Sequence, residues 1–195
     1  LLCAIDCTQA DEDTAVTSIY NTEAPVTSLG FFGDAPSAQV YVLSSVETLS
    51  VWNLQHSGAC VARFDAIIRT PANDDGGGPA PEGVDYLVGC AYDEAAARLY
   101  LLAGEHSGTL HVLAVEPGVL TVLSTLRGGP TSGHTADVRC CCWSSDSLVT
   151  GGEDARLCLW SAAGGSDAAA APRSNKGSAL KVARAASGAA RAAPY

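Results

Sequence analysis

The residues of this 195-residue chain best suited to chemistry are its four histidines and eight cysteines, together with the carboxylates near them. His134 and Asp154 stand on either side of Thr150 in the sequence. An imidazole, a carboxylate and a hydroxyl are the parts of a hydrolytic triad, in which the carboxylate orients the base that withdraws the nucleophile's proton. A cysteine could replace the hydroxyl in that role. No GxSxG elbow or comparable nucleophile setting accompanies these residues. The alternative is a buried polar cluster whose members satisfy one another's hydrogen bonds. The thiols fall at 3, 7, 60, 90, 140, 141, 142 and 158 without a CxxC pair, the spacing that delivers two ligands at once to zinc. On a strand Cys140 and Cys142 share a face and Cys141 takes the other, so the three cannot reach one ion. Reduced, buried thiols acting as small apolar fillers are therefore expected, with no metal and no cofactor.

Charge and composition narrow the function classes further. The net charge of −10 divides into +4 over residues 162–195 and −14 over the rest. An acidic body lacks the clustered Lys and Arg that phosphate neutralisation needs, so nucleic acid is an expected partner only through the basic tail. That tail, 162–195, is rich in Ala and Gly, too poor in large apolar groups to build a core, and reads as disordered. The run Asn73-Asp74-Asp75-Gly76-Gly77-Gly78-Pro79 lies in a polar segment, 66–83, read as a loop insertion. It has no GK[ST] after it and no strand-to-helix setting, so a phosphate cradle is not indicated. No apolar run is long enough to span a membrane, and the start lacks the basic flank of a signal peptide. An intracellular protein, cytoplasmic or nuclear and not secreted, is expected. The sequence contains no Met and opens within an apolar run, which reads as a piece of a longer chain.

The elements that must position these residues are strands. Short runs rich in Val, Leu, Tyr and Cys recur between Gly, Asp, Ser and Pro clusters, and helical periodicity is hard to find before residue 175. Gln39 to Ser44 with Thr48 to Asn53 forms one hairpin pattern. It returns as Arg98 to Gly104 with Thr109 to Leu113, and as Ser147 to Gly152 with Arg156 to Trp160. An apolar strand precedes each: Val26 to Phe32, Tyr86 to Tyr92 and Val138 to Trp143. A fourth follows the first two, at Ala59 to Phe64 and Val119 to Thr125. From Trp52 to Leu113 is 61 residues and from Leu113 to Trp160 is 47, the longer interval containing the insertion. Self-similarity at such a period is the mark of a repeat architecture.

The last unit carries the most specific pattern: Gly133-His134, then Thr150-Gly151-Gly152-Glu153-Asp154, then Leu157-Cys158-Leu159-Trp160. It resembles the WD-repeat β-propeller family, with Ser161 where the Asp of the Trp-Asp pair would stand. Several segments, above all Leu148 to Ala155, are similar to the WD repeat-containing protein 89 branch of that family. The resemblance implies an all-β fold, a partial WD40-type propeller of about three to four four-stranded antiparallel blades out of an expected seven. Residues 1–161 would form it: 1–20 the end of an upstream blade, 24–65 and 84–126 two blades, and 133–161 the last. The resemblance also implies that His134, Thr150, Asp154 and Trp160 form a structural hydrogen-bonded tetrad. The other hairpins depart from the signature, with Val46 at the turn-Asp position of the first, and Ser107 and Leu113 replacing Asp and Trp in the second. A non-catalytic scaffold that binds other proteins follows, with Glu105, His106, Asp137 and Arg139 as candidate partner-binding residues on the loops at one end of the ring. The competing readings are an RNA-associated factor acting through the tail and a Cys/His-dependent enzyme.

Overall fold

A computed structural model describes residues 1–34, 39–54, 59–65, 67, 83–144 and 147–161. The 162–195 tail and nearly all of the 66–83 insertion lie outside the described residues. The strands are β1 (Leu2–Ile5), β2 (Val16–Tyr20), β3 (Val26–Phe32), β4 (Gln39–Ser44), β5 (Leu49–Asn53), β6 (Ala59–Phe64) and β7 (Tyr86–Asp93). They continue as β8 (Arg98–Gly104), β9 (Leu110–Glu116), β10 (Val119–Leu126), β11 (Val138–Ser144), β12 (Ser147–Gly152) and β13 (Leu157–Ser161). One turn of helix, α1 (Glu12–Ala15), joins β1 to β2, its first turn capped by the Asp11 carboxylate. A single turn fixed by its cap has no repeating apolar stripe, which is why periodicity does not reveal it.

Every sheet is an antiparallel meander. Strands β3 to β6 make one four-stranded blade and β7 to β10 a second, while β11 to β13 make a three-stranded last blade and β1 with β2 a leading pair. Each of the two four-stranded sheets and the last one begins on a strand with a register shift near its start, at Val26/Ser28, Leu87/Gly89 and Val138/Cys140. A bulge at the same place in three sheets shows the sequence repeat written into the backbone. Neighbouring sheets pack face to face. Leu43, Leu49, Leu101 and Leu113 share one buried cluster across the first and second blades, and Leu102, Leu110, Val112, Leu148 and Trp160 another across the second and last. The inner strands β4, β5, β8 and β9 are buried on both faces, which is why their sequences are apolar without alternation.

Equivalent positions measure what the last blade lacks. Leu49 in the first blade and Leu110 in the second are 0% exposed, whereas Leu157, at the same place in β13, is 78% exposed. Val51 and Val112 are likewise buried, and their counterpart Leu159 is 49% exposed. The open face of the last blade is thus built as an inter-blade face with no neighbouring sheet on it among the described residues. The same fact corrects the expectation for the thiols. Only Cys158 is buried; Cys90 and Cys141 are half-buried, and Cys3, Cys7, Cys60, Cys140 and Cys142 are exposed. Cys140 and Cys142 lie on the uncovered side of β11, with Cys141 turned to the second blade.

Candidate functional site

The last blade holds a chain of four polar side chains. Trp160 on β13 donates its indole N–H to Thr150 Oγ1 on β12 at 2.9 Å. Thr150 Oγ1 lies 2.8 Å from His134 Nε2, and His134 Nδ1 lies 3.0 Å from Asp154 Oδ1. Indole can only donate and an ionised carboxylate can only accept. With one proton on the imidazole, the chain therefore runs in one direction: indole to hydroxyl, hydroxyl to Nε2, Nδ1–H to carboxylate. His134 and Thr150 are 0% exposed and Trp160 is 1% exposed, so each bond replaces water that cannot enter. Asp154 sits in the turn after β12 and also accepts from the backbone N–H of Thr135 at 2.9 Å and of Arg156 at 3.1 Å. Burial pushes its carboxyl up, but the hydrogen bonds from His134, Thr135 and Arg156 outweigh it and hold the group below its ordinary value.

The glycines around this chain are spatial requirements. A Cβ on Gly152 would come within 2.7 Å of His134 Nδ1 and 2.9 Å of Asp154 Oδ1, and one on Gly133 would meet Arg127 O at 2.6 Å. Both are closer than carbon atoms sit in proteins, so the Gly133-His134 and Gly151-Gly152 pairs belong to the site as much as the polar groups do. The arrangement fastens the loop that enters the last blade to the hairpin inside it. It offers no nucleophile, because a substrate cannot reach Thr150 Oγ1.

A second cluster lies on the exposed end beside it. Asp137, just ahead of β11, takes His106 Nδ1 at 2.8 Å and Arg139 at 3.1 Å. Arg139 also pairs with Glu153 at 2.6 Å, and its guanidinium lies 5.8 Å from the Tyr86 ring centroid. Tyr86 in turn accepts the Val138 N–H at 2.6 Å and faces the His106 ring. The hydrogen bond to Asp137 raises the His106 imidazole above its usual value. Three of the four candidate partner-binding residues, His106, Asp137 and Arg139, thus come together from two blades. Glu105 does not join them. It turns back into the second blade, where it lies 2.8 Å from His111 Nε2 and accepts from Ser107, while His111 Nδ1 meets Thr125 at 3.2 Å.

Sequence reasoning missed Glu153, Tyr86 and His111. Glu153 was legible as a charge in the same turn as Asp154. His111 sits within an apolar strand and its partner is six residues upstream, so no short motif marks the pair.

Stacked antiparallel meanders of three and four strands, with this polar chain inside the last of them, define a WD-repeat β-propeller chain. Among curated proteins the chain is similar to WD repeat-containing protein 89 homolog of Dictyostelium discoideum. The two are 32% identical over 162 residues, covering 82% of this chain and 42% of that protein. It is also similar to WD repeat-containing protein GTS1 of Arabidopsis thaliana, at 29% identity over 173 residues, 82% of this chain and 41% of that one. The chain therefore spans about two fifths of the length of the curated relatives it matches. Of solved structures, the WD40 β-propeller domain of Doa1 aligns with a TM-score of 0.47 and 15% identity over 73% of this chain and 40% of that chain. No family model matches the sequence.

Proposed function

We propose that this chain is part of a ring of β-sheets that acts as a non-catalytic scaffold, presenting the His106–Asp137–Arg139–Glu153 cluster to partner proteins. The uncovered apolar face of the last blade supports the ring, since its counterparts in the other blades are covered by a neighbouring sheet. Thirteen strands among the described residues, on about two fifths of a relative's length, is the density of a ring of roughly seven to eight four-stranded blades. The observation that carries the scaffold reading is the exposed cluster itself. His106 is 69% and Arg139 58% exposed, yet both are held in place by carboxylates and by Tyr86, and contact groups fixed before binding lose less freedom on association.

The test is site-specific photocrosslinking. A crosslinking residue at His106 is expected to capture the same protein in replicate cell extracts, and Arg139→Glu introduced elsewhere in that chain should abolish the product. The same residue at Val122, on the outer strand β10, should not capture that protein. Equal capture at both positions, or a product that survives Arg139→Glu, would contradict the assignment.

A further inference from the structure

Along the first strands of the first, second and last blades lies a groove of about 490 Å³, lined by residues of β3, β4, β7 and β11 and of the β4–β5 turn. That volume is within the range of sites that bind a small group. Burial raises the thiols of Cys90 and Cys141 and the phenols of Tyr41 and Tyr86 above their usual values, so these lining groups carry no charge near neutrality. The two charged residues lining the groove are Glu47 and Arg139. Arg139 is already matched by Asp137 and Glu153.

Glu47 is different. It sits in the β4–β5 turn with φ of 59°, and its Oε2 accepts the Leu87 N–H of the second blade at 2.6 Å. Among the described residues no cation pairs with it directly. Burial therefore raises its carboxyl above the ordinary value in spite of that bond and of the more distant Arg139 charge. A half-buried carboxylate without a counterion is stabilised by any cation that reaches it. One carboxylate is too few to hold calcium, which takes six to eight oxygen ligands, typically several of them carboxylates. Nucleic acid and anionic lipid carry the wrong sign. The remaining cation is an organic one on a protein, and the body's charge of −14 over residues 1–161 favours its approach.

We propose that this groove receives a lysine or arginine side chain from a basic segment of a partner protein, with Glu47 taking the cationic head. The inference rests on the scaffold reading and specifies the chemistry of the partner.

The full chain is titrated with a fluorescein-labelled pentapeptide bearing one central lysine among glycines and serines, and with the same peptide carrying norleucine instead. The lysine peptide is expected to bind, and the norleucine peptide to bind about tenfold more weakly or worse. Glu47→Gln keeps an acceptor for Leu87 N–H and should weaken the lysine peptide by a similar factor. Glu116→Gln, at the exposed end of β9 and outside both the groove and the His106 cluster, should change it by about twofold at most. Equal binding of the two peptides, no binding of either, or undiminished binding to Glu47→Gln would overturn the proposal. Should that happen while the His106 crosslink persists, the groove is excluded and the scaffold reading stands. Loss of the crosslink with the Glu47-dependent binding intact would instead remove the His106 cluster and leave the groove.

Discussion

The hairpins β8–β9 and β12–β13 share a backbone register, Gly104 facing Leu110 as Gly151 faces Leu157, but they are fastened by different means. In the last blade Thr150, Asp154 and Trp160 tie the hairpin to His134. At the equivalent places the second blade has Ala103, Ser107 and Leu113, of which Ala103 and Leu113 are 0% exposed. Its polar contact runs along its own edge, from Glu105 through His111 to Thr125. The second blade has a neighbouring sheet on each face, and apolar burial alone gives roughly 25 cal/mol per Å². Among the described residues the last blade has one face open. Burial therefore suffices to build a blade, and the polar chain adds a fixed position for the incoming loop, which apolar contacts specify poorly.

Substitutions at paired positions can break this comparison. The largest effect is expected for Trp160→Ala, roughly 4 kcal/mol against roughly 3 kcal/mol for Leu113→Ala in the second blade, because the indole removes both volume and a hydrogen bond. Urea unfolding of the two variants checks the order, and a cheaper Trp160→Ala would mean the last blade is only loosely packed. Next comes the turn. Asp154→Ala strips the acceptor from His134, Thr135 and Arg156 and should cost about 3 kcal/mol. Ser107→Ala, at the same position but exposed, should stay within about 0.5 kcal/mol. Equal costs would erase the distinction between the blades.

The smallest effect concerns pH. Glu47 has its folded-state carboxyl raised, so the native chain holds that proton more tightly than the unfolded one. Its contribution to stability falls as pH rises from the unfolded value through the folded one, and the deficit is complete above it. Asp154 behaves oppositely, its contribution being present above the unfolded value and lost as pH falls through the lowered folded value. Glu47→Gln should therefore be as stable as the parent at acid pH and slightly more stable near neutrality, measured as the urea midpoint across that range. A variant less stable near neutrality would show that the carboxylate is a favourable strap between blades.

The strands were legible because a blade covered on both faces writes uninterrupted apolar runs, and its hairpins need turn residues between them. Gly133 and Gly152 were legible because neither place has room for a Cβ, Gly133 facing the Arg127 carbonyl and Gly152 facing His134 and Asp154. Glu105 was misplaced. A turn residue at a hairpin tip looks like a solvent-facing charge, and nothing local shows that His111 waits on the next strand. Glu47 was invisible as well, because its importance comes from Leu87 in a different blade. The thiols were read as buried on the strength of their strands. That holds only where a neighbour covers the face, and for Cys140 and Cys142 none of the described residues does.

The cooperativity of the polar chain can be measured directly through its two ends, which do not bond each other. A double-mutant cycle of Asp154→Asn with Trp160→Phe, read by urea unfolding of the full chain, should give a coupling of about 1 kcal/mol, transmitted through His134 and Thr150. Additivity within about 0.3 kcal/mol would mean that these residues act separately, and that the last blade is held by packing alone.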